Sequence, residues 1–223
     1  MGLLAGAVSE DDLPATWVAL ADGYLARSMA SAAISPLEGA LHAAALHPDA
    51  VHWQLRIADA ASQRGRFEDE VAALEVLARD YTVGSPWADA QEATEAVDTV
   101  AIEALIEERI RTTLLTRHHL SRVAPRTPTA SPQLEELSRL VVVWLVRYPD
   151  HEAAGNMHAL YGDVLMRTGR FAESHTQHMA AFDLTEEPDH LFAAAFAAER
   201  LFVESAPPQQ ACLLYTSPSP RDR

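Results

Sequence analysis

The 223-residue chain carries a formal net charge of −15, and every fixed cation in it is Arg, because Lys is absent. Such an acidic surface repels phosphate backbones, so nucleic acid is excluded as the expected partner. Ala dominates, Gly is sparse and no run approaches ~18 uninterrupted apolar residues, so an all-α chain without a transmembrane helix is predicted. Residues 1–7 are apolar but lack a basic segment and are too short for a signal peptide, which makes the cytoplasm the default expectation. The missing Lys and the single Asn, Asn156, match codon bias in a GC-rich bacterial genome.

Residues 9–12 are acidic, and Pro14 suits the first turn of a helix. Trp17, Leu20, Ala21, Tyr24 and Leu25 give that helix an apolar stripe. Residues 28–35 read as an irregular linker, and Pro36 as the opening of a second helix through Leu37, Ala40, Leu41 and Ala44. Residues 51–81 read as a helix pair. Trp53, Ile57, Ala58 and Ala61 mark its first helix, Gly65 its turn, and Phe67, Val71, Leu74 and Leu77 its second. From Trp87 to Val123 there is neither Gly nor Pro, so this section reads as one long helix or as two with an unmarked break. Residues 125–132, with three Pro, read as a loop and the best site for a proteolytic nick.

Leu137, Leu140, Val141, Val143, Trp144 and Leu145 make residues 134–148 a helix apolar almost all round, expected to be buried on two sides. Residues 151–184 show the clearest pattern. Met157, Leu160, Tyr161, Val164 and Leu165 set one helical stripe, Gly169 stands where an αL cap is wanted, and Phe171, Ser174, His178, Ala181 and Phe182 set a second. Pro188 opens a last helix through Leu191, Phe192, Ala195, Phe196, Leu201 and Phe202.

Gly162, Gly169, Phe171, Ser174 and Ala181 place this hairpin in register with a tetratricopeptide repeat, which it resembles. Gly65 and Gly169 lie 104 residues apart, and Trp17, Trp53 and Trp87 are spaced 36 and 34, close to multiples of the family's ~34-residue period. Two positions depart from the family. His178 replaces a bulky apolar residue and Glu70 a small one. The resemblance implies a right-handed solenoid of antiparallel helix hairpins with an irregular central section. Helix hairpins are expected over 1–83, a long helical section and Pro-rich loop over 84–132, and further hairpins, the last one truncated, over 133–206.

Residues 212–222, Cys-Leu-Leu-Tyr-Thr-Ser-Pro-Ser-Pro-Arg-Asp, resemble translated adapter DNA from a transposase-based sequencing library. Residues 207–223 are therefore expected to be a disordered, non-native tail, and the only Cys carries no information on redox compartment.

Ten His invite a metal reading, but only His175 and His178 share helical i, i+3 spacing, and a packing role fits His178 better. No nucleophile motif and no phosphate-binding Gly-rich loop is present. The expectation is a protein-binding scaffold without cofactor or metal, not an enzyme. Two alternatives stand beside it: a repeat appendage of a larger signalling protein or enzyme, and an envelope-associated or periplasmic repeat protein. In the family, ligands lie along a concave face built by the first helix of each repeat. The resemblance carries that face to His52, Leu55, Asp59, Ser62 and Gln63, and to Asn156, Ala159, Asp163, Met166 and Arg167. One branch of the family clamps a peptide carboxylate with Lys and Asn. Here Asp59 and Asp163 replace that Asn, so a basic or apolar protein segment is the implied partner. Self-association through the apolar face of the last helix is also expected. For the tail, an independent read of the locus should diverge after Ala211. Recovery of residues 212–222 from DNA prepared without that adapter would overturn the assignment.

Overall fold

A computed structural model describes Ser9, residues 12–123 and residues 130–205. Among the described residues there is no strand. Ten helices follow in order: α1 (Leu13–Leu25), α2 (Ala30–Ala43), α3 (Ala50–Gln63), α4 (Phe67–Asp80), α5 (Pro86–Thr94), α6 (Thr99–Val123), α7 (Ala130–Arg147), α8 (Ala154–Arg167), α9 (Phe171–Thr185) and α10 (Pro188–Ser205). The expected all-α class holds. Most helices pack on their neighbours in sequence, in a repeat-like arrangement. The chain divides into two compact units, Met1–Tyr148 and Pro149–Arg223. The expected tail at 207–223 lies outside the described residues.

In the first unit α1 packs on α2, α2 on α3 and α3 on α4. The turn between α3 and α4 shows why the spacing was readable. Gly65 takes φ +68°, which a side chain would resist, and the Arg66 N–H reaches back to the Ala61 carbonyl at 3.2 Å. Phe67 then starts α4 with its ring buried. The second unit repeats this geometry. Gly169 sits at φ +78°, the Arg170 N–H bonds the Leu165 carbonyl at 2.9 Å, and Phe171 is buried at the start of α9.

The linker expected over 28–35 is corrected. Helix α2 begins at Ala30 and runs through Pro36. Ser28, at φ +57°, completes the reversal early, and the Met29 N–H bonds the Tyr24 carbonyl at 3.0 Å. Pro36 removes one helical N–H donor, but it is buried with Ala33, Leu37 and Ala40, and that packing keeps the helix continuous.

The ambiguity over 87–123 resolves into two helices. Glu95 at φ +52° ends α5. Asp98 then caps α6, its Oδ1 accepting the N–H groups of Val100 and Ala101 at 3.1 Å each. Helix α5 is anchored elsewhere: the buried Trp87 indole donates to the His47 carbonyl at 2.9 Å, and Gln91 donates to Leu46 at 2.8 Å. The Pro-rich loop is corrected at its end, because residues 130–132 already belong to α7; residues 124–129 lie outside the described residues.

Helix α7 packs against both α4 and α6, which buries Leu134, Leu137, Leu140, Val141 and Trp144 and leaves Val142 and Val146 of its nearly all-round apolar sequence exposed. Its fully buried Trp144 donates its indole N–H to Glu107 at 3.0 Å, and Glu107 also accepts from Arg111 at 2.8 Å. The polar edge of a large ring and a buried carboxylate thereby satisfy one another. At Val83 the exposed loop is tied down on both sides. Glu103 accepts its N–H at 3.1 Å, Arg147 donates to its carbonyl at 2.9 Å, and the two charges pair at 2.6 Å.

Glu70 explains its own departure from the repeat pattern. It stands on α4 with only 1% of its surface exposed. Two guanidinium groups from α6 reach it, Arg109 at 3.4 Å and Arg117 in a closer pair. A small residue would pack α3 and α4 alone, whereas a carboxylate there requires α6. Removing both cations strands a buried charge, at a cost of about 3–5 kcal/mol. Arg109→Met with Arg117→Met should therefore lower the urea midpoint of the first unit markedly. Adding Glu70→Leu to that pair should recover most of the loss. A double variant as stable as the parent chain would contradict the assignment.

Candidate functional site: the faces of α3 and α8

The residues carried over from the repeat pattern occupy one face of α3 and one face of α8, spaced i, i+3 or i+4, i+7. On α3, His52, Asp59 and Gln63 are exposed, and Leu55 and Ser62 are half-buried. On α8, Asn156 is exposed, and Ala159, Asp163, Met166 and Arg167 are half-buried. Within each helix the sequence therefore grouped side chains that do share a surface.

The α3 face is partly engaged by the chain itself. Arg109 of α6 pairs with Asp59 at 2.9 Å, and Arg117 reaches the Ser62 hydroxyl at 3.4 Å. The same two arginines hold Glu70. Arg117 also lies 4.8 Å from the centroid of the Phe67 ring, a cation–π contact. Sequence reasoning placed Asp59 and Ser62 on an open groove and missed Arg109 and Arg117. The signal was present in Glu70, an acidic residue at a small-residue position, but its partners lie 39 and 47 residues later. Beside them opens a cavity of about 420 Å³, lined by Phe67, Arg117, Leu120, Val123, Gln133 and Leu137 among others, which no sequence pattern announced.

The α8 face borders a different arrangement. Ser174 of α9 is fully buried and donates to the Gly162 carbonyl at 2.8 Å, drawing the two backbones together. The His178 ring fills the space beside Gly162, where an added Cβ would stand 2.7 Å from it. His178 is buried, with Nε2 3.8 Å from an Asp163 oxygen. His175, by contrast, turns to α10, its Nδ1 3.0 Å from the Ala194 carbonyl. The two histidines thus engage different neighbours and do not converge on a shared ligand position. Among the described residues no group of three or more His, Cys, Asp and Glu is placed to hold a metal ion.

Burial holds His178 below its ordinary pKa of 6.5, and the nearby His190 and His175 act in the same direction, while Asp163 opposes them. A neutral ring is therefore favoured in the folded state. The unfolded chain binds a proton that the folded chain refuses, so stability is lost as the pH falls below about 6.5. Leu74 fills the position 104 residues earlier, so His178→Leu is a natural replacement. Thermal unfolding of the parent chain should weaken between pH 7.5 and pH 5 by more than that of His178→Leu. Equal pH slopes would mean that other groups carry the dependence.

No protein-family model matches this chain, and no curated protein matches it either.

Proposed function

We propose that this chain is a protein-binding scaffold of tetratricopeptide-like hairpins. Its helix pairs are antiparallel and wind in the right-handed sense of that family. The α8 face, centred on Asp163 with Ala159 and Met166 beside it, receives a basic segment with an apolar flank. The observation that supports this reading lies within the chain. On α3, Asp59 sits in a face of the same register and accepts Arg109 from the amphipathic helix α6. Asp163 recurs 104 residues later on a helix of the same length, before a turn of the same geometry. An arginine-bearing helix is thus the kind of surface that such a face already accommodates.

Asp163 is the residue to vary, and because it lies 3.8 Å from the buried His178 ring, thermal stability is measured beside binding for each variant. Pull-downs with the parent chain should recover proteins carrying basic segments, and recovery should fall as salt rises. Asp163→Asn should lower recovery several-fold while leaving thermal stability close to that of the parent. An unchanged partner set with Asp163→Asn would place the binding surface elsewhere.

A further inference from the structure

Helix α10 packs on α9 through Ala194 and Ala197, which are buried, and Arg200 lies 5.4 Å from the Phe171 ring centroid on that same side. Its outer side is apolar and open. Phe192 is 72% exposed, Phe202 56%, Phe196 54% and Leu191 45%. The outward residues Leu191, Ala195, Ala198 and Phe202 are spaced 4, 3 and 4, the seam spacing of paired helices. The order along that seam is large, small, small, large. Such an order is complementary to itself when reversed.

We propose that α10 pairs antiparallel with α10 of a second copy, about a two-fold axis between Ala195 and Ala198. In that register Leu191 meets Phe202 of the second copy and Ala195 meets its Ala198. The two alanines let the helix axes approach, and the large side chains close over each end of the contact. Phe192 and Phe196 lie along one edge of the seam and are covered as the helices close. A two-fold interface uses the same patch on both copies, so a self-complementary seam is what it requires. Each large apolar side chain contributes on the order of 100 Å². The interface therefore comes near the ~1,000 Å² that a specific association needs. A parallel pair would match the same large and small positions but stack Phe202 on Phe202 and set the two helix dipoles side by side in the same sense, which disfavours it.

Sedimentation velocity at tens of micromolar tests the pairing. The parent chain should sediment as a dimer. Ala198→Glu, which alters an exposed position away from α9, should sediment as a monomer with unchanged helical circular dichroism. A monomeric parent chain, its apolar seam covered by later residues of its own chain or by another protein, would overturn the proposal. So would a dimer that survives Ala198→Glu. Register is read separately in a Cys212→Ser background. Leu191→Cys chains mixed with Phe202→Cys chains should form a disulfide across the interface, and neither should do so alone. A disulfide between two Phe202→Cys chains would show parallel pairing and also overturn it.

Discussion

The buried carboxylate of Glu70 is the constraint on which the first unit depends. An acidic group at 1% exposure is tolerated only with opposite charge and hydrogen bonds around it. Arg109 and Arg117, two turns apart along α6, supply both. Once α6 is held there, its apolar positions Ile102, Ile106, Ile110 and Leu114 are buried, and α7 closes against α4 and α6. Trp144 and Glu107 then complete a second polar contact inside this layer. The long, irregular stretch after α4 is therefore not a break in the architecture. It is a helix-on-helix assembly specified by charge as well as by apolar packing.

The second unit meets the same geometric problem with different chemistry. Ser174 stands 104 residues after Glu70, and His178 stands in the same relation to Leu74. Ser174 needs no partner from a third helix, because its hydroxyl is satisfied by the Gly162 carbonyl across the helix pair. Gly162 in turn yields the volume that the His178 ring fills. One helix pair thus recruits a further helix to neutralise a charge, while the other satisfies Ser174 locally and carries a buried titratable ring. Two hairpins in the same register differ in what they ask of their surroundings.

This difference bears on function. The α3 face has part of its polar surface occupied by α6, through Asp59 and Ser62. On α8, Ser174 of the neighbouring helix bonds the Gly162 carbonyl, and Asp163 lies 3.8 Å from the buried His178 ring, so that face also has an acidic residue beside a group of its own chain. The partner binding proposed along α8 and the copy-to-copy pairing proposed along α10 would use opposite kinds of chemistry, charge and polarity in one case and an apolar seam in the other.

Sequence alone determined the local structure wherever one residue type has one physical use. Gly65 and Gly169 at positive φ, the aromatic residues that follow them and the apolar stripes of α3, α4 and α8 translate directly into turns and buried faces. It also placed the residues carried over from the repeat pattern on one face of α3 and one face of α8, because helical period alone does that. Tertiary structure decided the rest. Pro36 looked like a helix start, yet packing against Ala33, Leu37 and Ala40 carries α2 through it. Whether α3 presents an open face or one engaged by α6 depends on pairs 39 to 55 residues apart in sequence. Periodicity reports which side chains share a face, but only folding in three dimensions decides what that face meets, since charge pairing across space leaves no fixed spacing in the chain.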